Sequence, residues 1–291
     1  MAIAAPRFDL QSHSVHSDGA LSSAEVVSAA AAAGVELLAV SDHDTTAGVP
    51  EAQHAATELG IDVVSAVEIT STFEERHDLH VLGYLIDPAD PGLEAVLARS
   101  RADRERRVER MADALRELGF ELNETELTER SAQGKTIGRP HLAQAVVDQP
   151  ENCSRLEAEG LRNPTDFLVR YLIEGKPAFR PRQAPAVQDA IALVHDAGGL
   201  AVWAHPFWDI SEPADVLKMI DHFRGVGLDG VEAFYVTHSE EQTRLLADRC
   251  DELELLTTGS SDFHGPEHRT FSRFRAFATY GLTPALGPLL R

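Results

Sequence analysis

The chain has 291 residues, 43% of them hydrophobic and 25% charged, with 26 basic against 47 acidic side chains and a formal net charge of −21. That length can bury a substantial core, as one barrel with an insertion or as two domains, and the composition gives no sign of disorder. The acidic excess disfavours broad electrostatic binding to long nucleic acid or to an anionic membrane, so a phosphate ligand would need a local positive site.

A short apolar run, Phe8 and Leu10, reads as a first strand ending in groups that can bind metal: Gln11, His13, His16 and Asp18, followed by the turn glycine Gly19. Ser22 to Glu25 has the form of a capping box, and helix formers continue to Gly34. Residues 35–40 are apolar at nearly every position, as in a strand covered on both faces, and run into Ser41-Asp42-His43-Asp44. A helix is predicted over residues 51–59, closed by Gly60, then a strand over 61–67 ending at Glu68, and a fourth strand over 79–86 containing His80. The pattern then changes. Residues 93–118 read as one long helix dense in Arg99, Arg101, Arg104, Arg106, Arg107 and Arg110, interleaved with acids, which is most simply a solvated face. Short helices follow around 124–129, 141–147 and 165–174, with no strand before about Pro177. From Ala186 strands and helices alternate again: a helix to Asp196, a strand over 200–204 running into His205-Pro206, a helix over 213–223, a strand over 230–235, a helix over 239–251, and a strand over 254–258 ahead of Ser261-Asp262-Phe263-His264. The alternation indicates the α/β class. The expected organisation is a barrel-like domain from residues 1–98 and 180–291, interrupted by a helical insertion at 99–179.

Cys153 and Cys250 lie far apart and support neither a disulfide framework nor a thiolate zinc site, so a reducing cytoplasm is expected. Residues 1–6 are too short for the apolar part of a signal peptide. The most apolar segment, residues 24–40, is broken by Glu25, Ser28, Gly34 and Glu36 and falls short of the ~20 apolar residues of a membrane helix.

A single His or Asp at the end of a strand is more often a turn former or helix cap than a ligand. Six such positions in succession, two of them pairing His with carboxylate, point instead to a convergent metal cluster. The set His13, Asp18, His43, Glu68, His80, His205, Asp262 and His264, with Gln11 available, exceeds what one tetrahedral ion needs and implies two or three divalent ions. Imidazole and carboxylate without thiolate suit Mn, Fe or Zn. Ions ~3.5–4 Å apart, bridged by a carboxylate such as Glu68, favour in-line phosphoester hydrolysis by coordinated hydroxide, since coordination lowers the pKa of water toward ~7.

Asp9-Leu10-Gln11-Ser12-His13-Ser14 with Ser17-Asp18-Gly19, Ser41-Asp42-His43-Asp44, Glu68, His80, Ala204-His205-Pro206 and Ser261-Asp262-Phe263-His264 together resemble the successive motifs of the polymerase and histidinol phosphatase (PHP) family. Within it the chain is most similar to the bacterial branch of metal-dependent phosphoesterases with a helical insertion that act on nucleoside 3',5'-bisphosphates. The resemblance implies a distorted seven-stranded β/α barrel and a trinuclear site. The first ion would take Gln11, His13, Glu68 and Asp262, the second Glu68, His80 and His205, and the third Asp18, His43 and His264. The family usually has His where this chain has Gln11. An amide is a weaker ligand for borderline metals, so the first ion would bind less tightly or be a harder one, or Gln11 would hydrogen-bond from outside the metal shell.

Within the insertion, Thr136-Ile137-Gly138-Arg139-Pro140-His141 resembles the segment with which this branch grips phosphate. Taken alone it reads as a helix start with Arg139 in solvent, and Gly175-Lys176-Pro177 reads as a surface turn. The resemblance makes Arg139, His141 and Lys176 phosphate contacts, with His141 able to protonate a leaving oxygen. Catalysis would rest on Glu68, His205, Asp262 and His141. His54, His195 and His222 fall in predicted helices and His77 and His268 in loops, without roles. His16 and His238 could line the pocket, and Asp42 would orient the site rather than bind metal.

The reading is a cytoplasmic phosphoesterase that removes the 3'-phosphate from a nucleoside 3',5'-bisphosphate, a small nucleotide rather than long nucleic acid, without a membrane partner. The alternatives are 5'-3' trimming of short oligonucleotides, a histidinol-phosphatase-like activity, and a catalytically weak metal-binding regulatory module.

Overall fold

The computed structural model describes residues 7–132, 137–208 and 210–290. Its elements in chain order are β1 (Phe8–Asp9), α1 (Ser23–Ala32), β2 (Leu37–Val40), α2 (Val49–Leu59), β3 (Asp62–Phe73), β4 (Arg76–Tyr84) and α3 (Pro91–Glu117). Then follow α4 (Glu124–Ala132), α5 (Arg139–Val147), a 3₁₀ turn (Pro150–Asn152), α6 (Cys153–Glu159) and α7 (Pro164–Tyr171). The chain ends through α8 (Val187–Asp196), β5 (Leu200–Trp203), α9 (Pro213–Gly225), β6 (Gly230–Tyr235), α10 (Glu240–Leu253), β7 (Leu256–Ser260) and a final 3₁₀ turn. Two compact units result, residues 1–98 with 184–291, and residues 99–183. No helix among the described residues is long and apolar enough to cross a membrane.

The first unit is built on one mixed seven-stranded sheet in the order β1-β2-β3-β4-β5-β6-β7. Strands β1 to β3 are parallel, β4 is antiparallel to both β3 and β5, and β5 to β7 are parallel. The two edges approach each other: Leu10 N–H donates to the Gly259 carbonyl at 3.1 Å and His13 N–H to that of Phe263 at 2.8 Å. The sheet is thus nearly closed into a distorted barrel, and the Tyr84 hydroxyl ties β4 across to the Leu10 carbonyl at 2.8 Å. Inside and around it, Trp203 packs edge-on against Phe223 of α9 at 5.2 Å, and Phe223 against Phe73 at 5.1 Å. On the other flank Val26, Val27 and Ala30 of α1 and Ala52 of α2 cover Leu38 and Val40.

Local chemistry sets the element ends. Ser22 and Glu25 form the capping box of α1, with Glu25 accepting the Ser22 N–H at 2.8 Å. Gly60 stops α2 at φ 68°. The main difference from the expectation is at β3, which continues beyond Glu68 to Phe73 and turns directly into β4, so His77 lies in a strand rather than a loop. The cause is the run Ile69-Thr70-Ser71-Thr72-Phe73, rich in β-branched and aromatic residues with no helix former before the turn at Glu74. Glu68 is therefore in mid-strand. It sits opposite Leu82, while Thr70 sits opposite His80, and this register places Glu68 and His80 on the same face.

The second unit is helical. Phe120 meets Phe167 and Tyr171 edge-on at 5.0 and 4.9 Å, with Leu115, Leu142, Val146 and Leu156 around them, and the Arg155 guanidinium lies 3.8 Å over the Phe120 ring. The arginine-rich face of α3 is not simply solvated. Arg107 is buried and donates to the Arg180 carbonyl at 2.7 Å, and Asp103 accepts the Gln183 N–H at 2.8 Å, so α3 anchors the end of its own unit. The 3₁₀ turn and the seven-residue α6 were not expected, being too short to show a period.

Replacing Tyr84 with Phe removes the donor that ties β4 to the Leu10 carbonyl inside the barrel. The variant should fold but lose about 1–2 kcal/mol of stability in urea denaturation; an unchanged midpoint would show that the hydroxyl contributes nothing to closure.

Candidate metal centre

The parallel strands deliver their polar side chains at one end, as α/β barrels do. Gln11, His13 and Asp18 follow β1, His43 follows β2, His205 follows β5, and Asp262 and His264 follow β7, while Glu68 and His80 come from the hairpin. The loop after β2 is laid beside β3: Asp44 N–H donates to the Glu68 carbonyl at 2.8 Å, and the Asp44 carboxylate accepts from the Thr70 N–H at 3.0 Å and the Thr70 hydroxyl at 3.1 Å. Three non-glycine residues here hold left-handed backbone, Asp44 at φ 53°, His205 at φ 28° and Asp262 at φ 52°. Such conformations each cost on the order of 1–3 kcal/mol and persist only where neighbours enforce them.

Buried carboxylates supply that enforcement. Glu232, within β6, accepts the His205 N–H at 2.9 Å and the Ser260 hydroxyl at 2.6 Å. Asp9 accepts the Ser261 N–H at 2.9 Å, the Ser261 hydroxyl at 2.6 Å and the Arg275 N–H at 2.8 Å. Asp42 accepts the Ser14 N–H, the Ser14 hydroxyl and the Ser17 hydroxyl at 2.6–2.7 Å, binding the loop after β1 to the loop after β2. The Tyr235 hydroxyl donates to Asp262 Oδ2 at 2.7 Å, leaving Oδ1 for the centre.

Glu68 is the hub. Its Oε2 lies 3.2 Å from His13 Nε2 and 3.1 Å from His43 Nδ1, and its Oε1 lies 2.8 Å from His80 Nδ1 and 3.1 Å from His205 Nε2. Asp262 Oδ1 is 3.0 Å from His13 Nε2. His80 Nδ1 and His205 Nε2 are themselves 3.3 Å apart. At the rim, Asp18 reaches His43 Nε2 at 3.6 Å and His264 Nε2 at 3.5 Å, and its side chain is 40% exposed where that of Glu68 is 1% exposed. Among the described residues two groups have ligand atoms close enough to hold an ion, His13 with Asp18, His43 and His264, and His43 with Glu68 and His80.

A divalent cation fits this donor set. His13 Nε2, His43 Nδ1, Glu68 Oε2 and Asp262 Oδ1 are buried without an aligned hydrogen bond, although His13 Nε2 lies 3.2 Å from Glu68 Oε2 and 3.0 Å from Asp262 Oδ1, and His43 Nδ1 3.1 Å from Glu68 Oε2. Buried polar atoms in that state are costly unless something pairs them. Gln11 is fully buried, and neither its amide oxygen nor its amide nitrogen has a hydrogen-bond partner.

The electrostatics suit ligation. Burial alone would raise the carboxylates, but His43 and His80 hold Glu68 well below the ordinary range, and His264 and His13 bring Asp262 down to about 2. Burial pushes the His43 imidazole well below its ordinary value. For His205 the neighbouring Glu68 carboxylate outweighs burial and raises the imidazole to about 9. Behind the candidate ligands burial lifts Glu232 to about 8 and Asp9 to about 7.

All the expected metal ligands except Gln11 have ligand atoms within 3.6 Å of another member of the set. The expected phosphate contacts lie in the other unit: Arg139 and His141 open α5, with the Gly138 N–H donating to His141 Nδ1 at 2.9 Å, and Lys176 is exposed in the turn before Ala178. Arg139 is half-buried rather than in solvent, and Thr136 lies outside the described residues. His16 is exposed and 3.9 Å from Glu51. His238 is buried, its Nδ1 3.1 Å from the Ala233 carbonyl. Glu232 and Tyr235 were missed, although a lone Glu inside the apolar strand Gly-Val-Glu-Ala-Phe-Tyr is itself a signal of a buried, partnered carboxylate.

Because His205 is raised to about 9, it carries a proton at neutral pH that a metal ligated by this imidazole would displace. Metal uptake at pH 7 should therefore release protons to an indicator dye, affinity should climb with pH up to about 9, and the release should fade above it. Uptake without proton release at pH 7 would contradict this charge balance.

A model of the PHP domain matches residues 9–110. A 5'-3' exoribonuclease from Haemophilus influenzae is 35% identical over 260 residues, 89% of this chain and 90% of that protein. A 3',5'-nucleoside bisphosphate phosphatase from Chromobacterium violaceum is 33% identical over 259 residues, 89% of this chain and 87% of that protein. The solved structure of a Bifidobacterium adolescentis protein assigned as a metal-dependent phosphoesterase superposes with a TM-score of 0.74 at 30% identity, covering 92% of this chain and 91% of that one. With its seven-stranded distorted barrel and its clusters of imidazole and carboxylate, the chain belongs to the PHP family of metal-dependent phosphoesterases.

Proposed function

We propose that the protein removes the 3'-phosphate from nucleoside 3',5'-bisphosphates. The observation that carries this reading is the likeness to the Chromobacterium violaceum bisphosphate phosphatase along nearly the whole chain, barrel and helical unit alike. Two or three ions, Mn, Fe or Zn, would be held by Gln11, His13, Glu68 and Asp262, by Glu68, His80 and His205, and by Asp18, His43 and His264. The orphaned amide of Gln11 supports ligation through its oxygen rather than a hydrogen bond from outside. The bound ions supply Lewis acidity toward phosphoryl oxygens and lower the pKa of water.

The protein's own part is to hold charge and position. Glu68 offers one oxygen to each side of the centre, and Asp262 keeps Oδ1 inward because Tyr235 holds Oδ2. His205, fixed by Glu232, holds its imidazole against Glu68. Residues 99–179 would act as the substrate lid. Arg139 presents a planar fork to the second phosphate, and Lys176 adds charge. His141 accepts the Gly138 N–H at Nδ1, so its neutral ring carries the proton on Nε2 and can donate it to a phosphate or leaving oxygen. A reducing cytoplasmic setting agrees with the exposed free thiol of Cys153.

A second reading, stepwise trimming of short oligonucleotides from the 5' end, is favoured by the Haemophilus influenzae relative. The net charge of −21 weighs against long polymers. Metal-free protein reloaded with Mn, Fe or Zn and assayed on adenosine 3',5'-bisphosphate beside a 5'-phosphorylated oligonucleotide ladder separates the two. The expected result is phosphate release from the bisphosphate, abolished in His205→Ala and with KM raised about tenfold or more in Arg139→Ala. A shortened ladder with an untouched bisphosphate would replace this reading with the second.

A further inference from the structure

Two of the loops that carry candidate ligands also carry an aromatic ring, and the rings meet. Trp208 follows His205 in a turn closed by the Trp208 N–H to the His205 carbonyl at 2.8 Å, which ties the Trp208 backbone to that of the candidate ligand. The other loop is closed by the His264 N–H to the Phe271 carbonyl at 2.9 Å and by the Phe271 N–H to His268 Nδ1 at 2.9 Å. The Trp208 and Phe271 centroids are 5.5 Å apart, and the His268 ring lies nearly parallel to Phe271 at 5.0 Å and 18°. Phe271 reaches the ligand His264 at 5.4 Å, and Trp208 reaches Tyr235, whose hydroxyl holds Asp262, at 6.4 Å.

Phe271 is 7% exposed, but Trp208 is 52% exposed. An indole that packs on Tyr235 and Phe271 beside the candidate ligands and is left half in solvent offers ring surface to a bound molecule. A protein partner would call for a contiguous apolar patch rather than one ring. A nucleotide bound by its phosphate at the metals places its sugar next and its base outermost, and a base is a flat ring that stacks offset on an aromatic at centroid spacings of about 4.5–7 Å. We infer that Trp208, backed by Phe271 and flanked by His268, is the stacking platform for the substrate's base. The inference rests on the bisphosphate reading and adds to it the determinant that distinguishes a nucleotide from a simple sugar phosphate. Stacking asks only for a π-face, so the platform tolerates all four bases.

The test compares adenosine 5'-monophosphate with ribose 5-phosphate, which lacks the base, by equilibrium dialysis on the metal-loaded protein. Wild type should prefer the nucleotide by about tenfold or more, Trp208→Ala should lose that preference, and Trp208→Phe should restore much of it. The chain has two tryptophans, and Trp203 is buried. Nucleotide should therefore quench wild-type emission and leave that of Trp208→Phe unchanged. A preference that survives Trp208→Ala, or wild type binding both ligands equally, overturns the platform. These binding readouts need no turnover: if wild type releases no phosphate from adenosine 3',5'-bisphosphate yet shows a Trp208-dependent base preference, the bisphosphate reading fails and the platform stands.

Discussion

A carboxylate with 1% of its side chain exposed, in the middle of a strand and facing four imidazoles, dominates this molecule. Burying the Glu68 charge is tolerable only with opposite charge or metal beside it, and the barrel is arranged to bring ligands from β1, β2, β4 and β5 to its two oxygens. The hairpin of β3 and β4 puts Glu68 and His80 on one face, and the parallel strands on either side contribute the remaining groups from their ends. The mixed sheet is thus the means by which one carboxylate comes to face two imidazoles with each of its oxygens.

That arrangement places strain where the candidate ligands are. His205 and Asp262 occupy left-handed backbone, and each is flanked by a buried acid that receives backbone or hydroxyl hydrogen bonds, Glu232 beneath His205 and Asp9 beneath Ser261. Burial raises Glu232 and Asp9, while the imidazoles around Glu68 and Asp262 hold those two carboxylates low.

Much of this was legible in the residues. Ligand-rich strand ends are short local patterns, and Asp262-Phe263-His264 or Asp42-His43 carry their meaning whatever the rest of the chain does. The capping box at Ser22 and the Gly60 stop were readable for the same reason. The extent of β3 was less so, because Glu68 looked like an end when it is in fact a mid-strand residue whose neighbours pair with β4. Glu232 and Tyr235 were passed over because they contact the centre through His205 and Asp262, a relation set by register between strands and absent from any one segment. The anchoring of residues 180–183 by Asp103 and Arg107 was hidden likewise, since both look like members of a solvated charged face until the chain returns to them.

The central claim is that Glu68 serves more than one ion at once. Counting metal per chain by mass spectrometry, after reloading apo protein with Mn and removing the excess, tests it most directly when wild type is compared with Glu68→Gln. The expected result is at least two ions in wild type and the loss of more than one in the variant, with the barrel still folded by circular dichroism. A single ion in wild type, or a variant that keeps all or all but one of its ions, would contradict the claim.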